Sequence, residues 1–487
     1  MWELRADLLS STSPAFVSQQ ISLLRANSEL PILFTVRTVS QGGKFPDEMA
    51  VEALELLQLA VEAGCDYVDV ETSWPVEAVD KLRQNKADTI LVASWTDPTG
   101  AIRLEDAVLQ EKYIQAEKIG DIVMLSILAT TEYDSHELAL FLRDHRQKHH
   151  KPLIAMGLGT HGQLSRVVSP VSFITHALLP GAGAPGQMSL AQIQQSMHLL
   201  GQLPARNFFI FGNNIAHSLS PTLHNTAFTE LGLPHHYSIH ETFAVDEGVR
   251  EIMSRPDFGG ASVTFPHKLQ IGQFLQTESA VARLIGAVNT VLVRTGKDGS
   301  RQLVGDNTDW LGIKSCIEVN WPDGGTVTAR AAIVIGAGGA SRAACYAVQQ
   351  LGVKTLYMIN RTRAKAEALA EDFPALTFVH YSSFAEFPAA GADPAPSIIV
   401  GCVPADDFVE EDIPSAMFAA VENGVLVEMA YRPLETALMK RGKRFNGWKI
   451  TRGVDVLKEQ AYHQFHMWTG RRAPKRVMAQ AVDAKVG

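Results

Sequence analysis

The run AAIVIGAGGASRAACYAV, residues 331–348, sets Gly336, Gly338 and Gly339 between an apolar strand and a helical pattern. Glycine there lets the backbone approach a pyrophosphate, and the first turn of the helix offers unpaired N–H groups and a partial positive charge. The next apolar run ends in Asn360, Arg361 and Thr362, where a chain that binds NAD usually carries an acid for the ribose 2′-hydroxyl. Arg361, with Arg363 and Lys365 close behind, suits a 2′-phosphate instead. Together these features point to a dinucleotide fold that takes NADP. Singly, they read as a structural turn and a solvated basic patch.

Four polar clusters precede that fold: HSLSP at 217–221, SVTFPHK at 262–268, GAVNT at 286–290 and GDNTDW at 305–310. Ser, Asn, Asp, Gly and Pro all favour turns, so each cluster alone is compatible with turn chemistry.

The elements that must position these groups follow from periodicity. Up to about residue 190, apolar runs (PILFTVRT, DYVDVE, DTILVAS, GDIVMLSIL, KPLIAMGLG, SFITHALL) alternate with stretches such as VEALELLQLAVEAG that have helical i, i+3, i+4 spacing. Such alternation predicts parallel strands with crossover helices, and the number of units predicts a β/α barrel. Its count of eight strands falls short by one at the front, where WELRADLL already reads as a strand. GAGAPGQMS at 181–189 is a loop and SLAQIQQSMHLLGQLP a helix, and a new α/β unit begins at ARNFFIFGNN. The expected fold class is therefore α/β: a degenerate (β/α)8 barrel over 1–203, then an α/β substrate domain over 204–320 completed by a C-terminal helix at 455–487, with a Rossmann domain over 321–454.

Composition narrows the function classes. The chain has 487 residues and a net charge of −9 without a long block of either sign, so no nucleic-acid-binding surface is indicated. Its four cysteines lie far apart with no CxxC, which fits a reducing compartment and argues against a disulfide framework or a zinc site. No apolar run is long enough to span a bilayer. A cytoplasmic or nuclear protein is expected.

The region from about 206 to 487 closely resembles shikimate dehydrogenase in the order and spacing of the four clusters relative to the glycine loop. The resemblance implies that Ser218 and Ser220 bind a substrate carboxylate and that Thr264, Asn289 and Asp309 hold ring hydroxyls. Lys268 and Asp309 match the catalytic pair, and Tyr431 in EMAYRPLET and Gln460 in GVDVLKEQAYHQF match positions that close the site. The chemistry is coherent: hydride leaves a carbinol carbon for the nicotinamide only as the hydroxyl loses its proton, which a lysine beside a carboxylate can relay. Ser262 departs from the family, where many relatives have Asn.

Residues 3–187 resemble the type I 3-dehydroquinate dehydratase family through ELRADLL, FTVRTVSQGGKFP, YVDVE, ASWTDPTG, DIVMLSI, MGLGTHGQLSR and APGQMS. On that resemblance Glu3, Arg5, Arg37, Asp69, Glu71, Arg166 and Gln187 fall on the polar positions around the substrate, and Arg166 and its neighbours are expected to be able still to hold a cyclic hydroxy acid. The reactive groups are lost. The family's Schiff-base lysine is Met124 here, and a thioether forms no imine. The family's S-x-H-D histidine is Thr96, whose hydroxyl does not titrate near neutral pH. No dehydratase activity is expected.

The same fused order occurs in plant bifunctional enzymes, in the fungal pentafunctional arom polypeptide and in fungal quinate repressors. The lost lysine and histidine point to the last. The resemblance then implies a repressor of quinate-utilisation genes that senses pathway metabolites and acts through a transcriptional activator protein, with no cofactor required for that role and no direct contact with nucleic acid or membrane. The kinase-like segment expected ahead of the barrel in that family is not in this sequence, so the chain reads as a piece of a longer one. The alternative is an active NADP-dependent shikimate dehydrogenase joined to a dead barrel.

Overall fold

Val92, Ser94 and Thr96 alternate with Ala93 and Trp95 along one apolar run, so a strand there presents one set inward and the other to a covering helix. The computed structural model describes residues 1–486 apart from 104–106, 149–150, 170 and 180–182, and divides into two compact units, Met1–Leu203 and Pro204–Gly487. The first two residues of the 181–189 loop lie outside the described residues.

In the first unit β1 (Trp2–Arg5), β2 (Ile32–Thr35), β3 (Tyr67–Glu71), β4 (Ile90–Asp97), β5 (Ile122–Leu128) and β6 (Leu153–Leu158) form a parallel sheet in sequence order. Ala93, Trp95, Val123, Leu125 and Ile127 pack outward on Leu109, Tyr113 and Ala116 of the helix Ala107–Ile119. Leu33, Val92, Met124 and Met156 meet on the inner side, against Phe173. The sheet is curled but does not close. Among the described residues β1 and β6 are its edges, and the short β7 (Ile174–Thr175) and β8 (Met188–Ser189) pair only with each other. Ser189 starts the helix Leu190–Leu199 with a reciprocal cap, its hydroxyl accepting from Gln192 N–H while the Gln192 side chain accepts from Ser189 N–H.

The second unit holds two sheets. One contains β9 (Asn207–Gly212), β10 (His236–Glu241), β11 (Phe258–Val263), β12 (Thr277–Glu278), β13 (Thr290–Thr295) and β14 (Arg301–Asp306) in the order β10-β9-β11-β13-β14-β12. The other is all-parallel: β15 (Ala331–Ile335), β16 (Thr355–Ile359), β17 (Thr377–Tyr381), β18 (Pro396–Gly401), β19 (Gly424–Glu428) and β20 (Trp448–Thr451), ordered β17-β16-β15-β18-β19-β20. Both faces of this sheet are covered, which is why AAIVI is apolar throughout: Ala332 and Val334 enter one core, Ala331, Ile333 and Ile335 the other. Strand order reverses at β15, so the glycine loop sits at the switch point where α/β sheets bind ligands.

The C-terminal stretch is two helices, not the single one expected. Gly453–Thr469 ends at Gly470, whose φ of 65° is left-handed, and Lys475–Val486 follows Pro474. Among the described residues no helix is long and apolar enough to cross a membrane.

Candidate active site

Lys268 lies on the turn after β11, four residues past Thr264, and Asp309 opens the helix Asp309–Asn320. Lys268 Nζ donates to Asp309 Oδ2 at 2.5 Å. Asn289 Nδ2 donates to Asp309 Oδ1 at 2.8 Å and lies 3.3 Å from Gln460 Oε1. The structure thus brings four of the expected site residues into direct hydrogen-bond contact. Asn289, Asp309 and Gln460 are buried, and burial strengthens each bond.

A second layer that the sequence reading missed fixes this group. Asn289 Oδ1 accepts from Thr308 N–H at 2.7 Å and from the Thr290 hydroxyl at 2.6 Å. Gln464 Nε2 donates to Thr290 Oγ1 at 2.9 Å while its Oε1 accepts from Ser262, which accepts from the Tyr237 hydroxyl at 2.7 Å. Ser262, the departure from the family pattern, has a fully used hydroxyl. The available signal was the i, i+4 spacing of Gln460 and Gln464, which puts both amides on one face of the helix.

Ser220 is buried at the start of the helix Ser220–Glu230, and its N–H donates to Ser218 Oγ at 3.3 Å. Tyr431 arrives from the other half of the unit: its phenol faces Ser218 and its ring lies 6.1 Å from that of His217. Burial raises the Tyr431 phenol, with Arg432 and the Ser218 bond opposing.

The glycine loop closes the arrangement. Gly336 has φ of 107°, and a Cβ there would fall 2.8 Å from Val403 Cγ1, so only glycine fits. A Cβ on Gly338 would meet nothing within 4 Å, which leaves its face open to a pyrophosphate. Gly339 lies against the stem of Lys268, 3.3 Å from built Cβ to Lys268 Cβ. Asn360 and Thr362 follow β16, joined by a 2.7 Å bond from Asn360 Nδ2 to Thr362 O. Arg363 pairs with Glu367, whereas Arg361 is exposed and forms no ion pair among the described residues. An open glycine face and an unpaired guanidinium fit a phosphorylated dinucleotide.

In the half-barrel interior Arg37 is bound by Asp69, by Ser94 Oγ at 2.7 Å and by Glu71 at 3.5 Å. Arg5 spends its guanidinium on Asp7 at 2.9 and 2.8 Å. Gln187 donates to Ile174 O and accepts from Ala184 N–H, and Glu3 is exposed on β1. The Arg5 and Arg37 donors thus face groups of the protein itself. Arg166 is 2% exposed, its buried Nε has no partner among the described residues, and burial lowers its pKa. Met124 points inward among Leu33, Val92 and Met156, and is paired in register with Ser94. Thr96 N–H donates to Gln41 Oε1 at 2.6 Å. No imidazole or amine stands at either position.

Comparison with known proteins agrees with this division. A type I 3-dehydroquinase model matches residues 1–204, a shikimate dehydrogenase substrate-binding-domain model 210–291, a shikimate/quinate 5-dehydrogenase model 323–393 and a shikimate 5′-dehydrogenase C-terminal-domain model 453–482. The pentafunctional AROM polypeptide of Malassezia globosa is 42% identical over 97% of this chain, and that of Schizosaccharomyces pombe 39% identical over 99%. The chain spans 30% and 31% of their lengths. The solved dehydroquinate dehydratase and shikimate dehydrogenase part of S. pombe AroM superposes with a TM-score of 0.81 at 38% identity, covering 99% of this chain and 93% of that one. With its half-barrel, its two-sheet second unit and this match along almost the whole of both chains, the protein belongs to the dehydroquinate dehydratase–shikimate dehydrogenase family of AroM.

Proposed function

We propose that the second unit is an NADP-dependent dehydrogenase that interconverts shikimate and 3-dehydroshikimate, and that the half-barrel carries no dehydratase chemistry. The observation that carries this reading is the assembled Lys268–Asp309–Asn289 group beside Gly339. A buried ion pair is costly to maintain, and a receptor that only binds a polyol needs no proton relay. Ser218 and Ser220 would take the carboxylate, and Arg361 the 2′-phosphate. Bound NADP supplies the hydride acceptor. In the oxidation direction the Lys268 free amine takes the hydroxyl proton and becomes the ammonium; in the reduction direction that ammonium returns the proton and stabilises the developing alkoxide, while Asp309 orients the lysine.

The experiment is shikimate-dependent reduction of NADP⁺ by the purified chain. Turnover on the order of 10 per second, abolished by Lys268→Ala, is the expected result. Absence of turnover under conditions where shikimate binds would overturn the enzyme reading.

One observation favours a second reading. Met124 and Thr96 stand where the dehydratase family has its amine and imidazole, a pattern that suits a metabolite-sensing repressor of quinate-utilisation genes acting through an activator protein. On that reading ligand binding shifts the chain between two conformations with different affinity for the partner. Shikimate or quinate binding without turnover, coupled to altered binding of an activator, would support it.

A further inference from the structure

Glu428 ends β19 and is 3% exposed. Both of its oxygens are taken by the loop that leaves this strand. Oε1 accepts from Ala430 N–H at 3.0 Å, and Oε2 from the Thr436 hydroxyl at 2.7 Å. Thr436 in turn caps the helix Ala437–Lys443, its oxygen accepting from Met439 N–H at 3.3 Å. One carboxylate therefore ties the first residue of the 430–436 loop to the last, and Tyr431 hangs one residue beyond the first anchor.

The loop is held from behind as well. A methyl group on Gly453 would fall 2.4 Å from Ala430 O, so the helix that carries Gln460 and Gln464 abuts the loop that carries Tyr431. Tyr431 faces Ser218 and lies with its ring 6.1 Å from that of His217 in the other half of the unit. A fault at Glu428 would propagate to that contact through a loop of seven residues.

The acid has an energetic disadvantage that makes its geometry informative. No lysine or arginine pairs with it among the described residues, and Cys402, just past β18, is a titratable group that faces it. Burial pushes the Glu428 carboxyl up to about 7, against the bonds from Ala430 and Thr436. An unpaired buried acid lowers stability, and a neutral side chain would fill the same space more favourably. What a neutral side chain lacks is two acceptor oxygens set opposite two donors on one loop.

We propose that Glu428 is a positioning residue for Tyr431: by holding residues 430 and 436 together it keeps the phenol on Ser218 and closes the substrate pocket from the cofactor side. This rests on the reading of the second unit as a hydroxy-acid site.

The test is amide hydrogen exchange over 429–436 in the ligand-free full chain, with shikimate affinity measured calorimetrically alongside. Glu428→Gln and Thr436→Val, the latter removing one anchor at little risk to folding, are each expected to speed exchange in the loop about tenfold, a factor that corresponds to ~1.4 kcal/mol, while β15 stays protected. Glu428→Gln is expected to weaken shikimate binding about tenfold in the natural background and less than about twofold in a Tyr431→Phe background, because the two act through one contact. Unchanged exchange, or an equal loss of affinity in both backgrounds, overturns the proposal. A natural chain that fails to bind shikimate defeats the hydroxy-acid reading instead, and the exchange data then decide the role of Glu428 alone.

Discussion

Gly339 and Lys268 are in contact across the second unit: a methyl group on the glycine would lie 3.3 Å from Lys268 Cβ and 3.5 Å from its Cδ. The glycine loop and Lys268 thus share a packing surface. Gly339→Ala is expected to displace the lysine stem by a few tenths of an ångström. Misplacing a reacting group by 1 Å can cost about 100-fold, so a loss of about tenfold in kcat for shikimate oxidation is expected, with little change in thermal midpoint. Steady-state kinetics checks it, and an unaltered kcat would show that the contact is slack.

Arg361 is exposed and unpaired among the described residues, on the turn after β16 where the adenosine ribose would lie. Arg361→Ala is expected to raise KM for NADP⁺ about tenfold or more, in line with the ~1.5–3 kcal/mol of a charge-assisted hydrogen bond, and to leave KM for NAD⁺ unchanged. Equal losses for both cofactors would place the 2′-phosphate elsewhere.

Met124 is 3% exposed among Leu33, Val92 and Met156. Met124→Lys therefore buries an ammonium in an apolar cluster and is expected to destabilise the first unit by several kcal/mol, whereas Met124→Leu is expected to cost less than ~1.5 kcal/mol. The lysine pKa falls on folding, so the destabilisation is largest at low pH and shrinks as pH rises toward the unfolded value of about 10.4. Urea denaturation at several pH values measures it. A pH-independent gap between the lysine and leucine variants would mean that the new ammonium reaches solvent.

Glu428 gives a pH signature of its own. Its folded pKa of about 7 lies above the unfolded value, so the protonated acid contributes stability that is fully present below about 4.3 and lost as pH rises through 7. Compared with Glu428→Gln, the natural chain is expected to lose roughly 3 kcal/mol between pH 4 and pH 8. Denaturant midpoints across that range test the sign, and a constant difference would show a carboxyl that titrates like an exposed one.

The glycine loop was legible because it depends on short-range pattern, and the two barrel positions at Met124 and Thr96 because a family resemblance implied them. AAIVI followed by three glycines specifies a strand, a turn and a helix among neighbouring residues, and the period of two along β5 already places Met124 on the same face as Ile122. The partners of the arginines were not legible, for the opposite reason. Arg37 and Arg5 match binding positions in sequence, yet their partners Asp69, Ser94 and Asp7 are set by strand register and by the turn after β1. A donor already spent on its own fold looks the same in a sequence as one left free for a ligand.

By itself the sequence determined the chemical inventory: a lysine, a carboxylate and hydroxyls ahead of a dinucleotide loop, and a methionine and a threonine where an amine and an imidazole would be needed. Tertiary structure decided which of these meet. Lys268 and Asp309 become a pair, Gln464 a brace for Asn289 and Glu428 an anchor for Tyr431 only when strands and helices far apart in the chain are packed together. Local propensity acts over a few residues, whereas desolvation and side-chain hydrogen bonding depend on whatever the whole fold brings within about 3 Å.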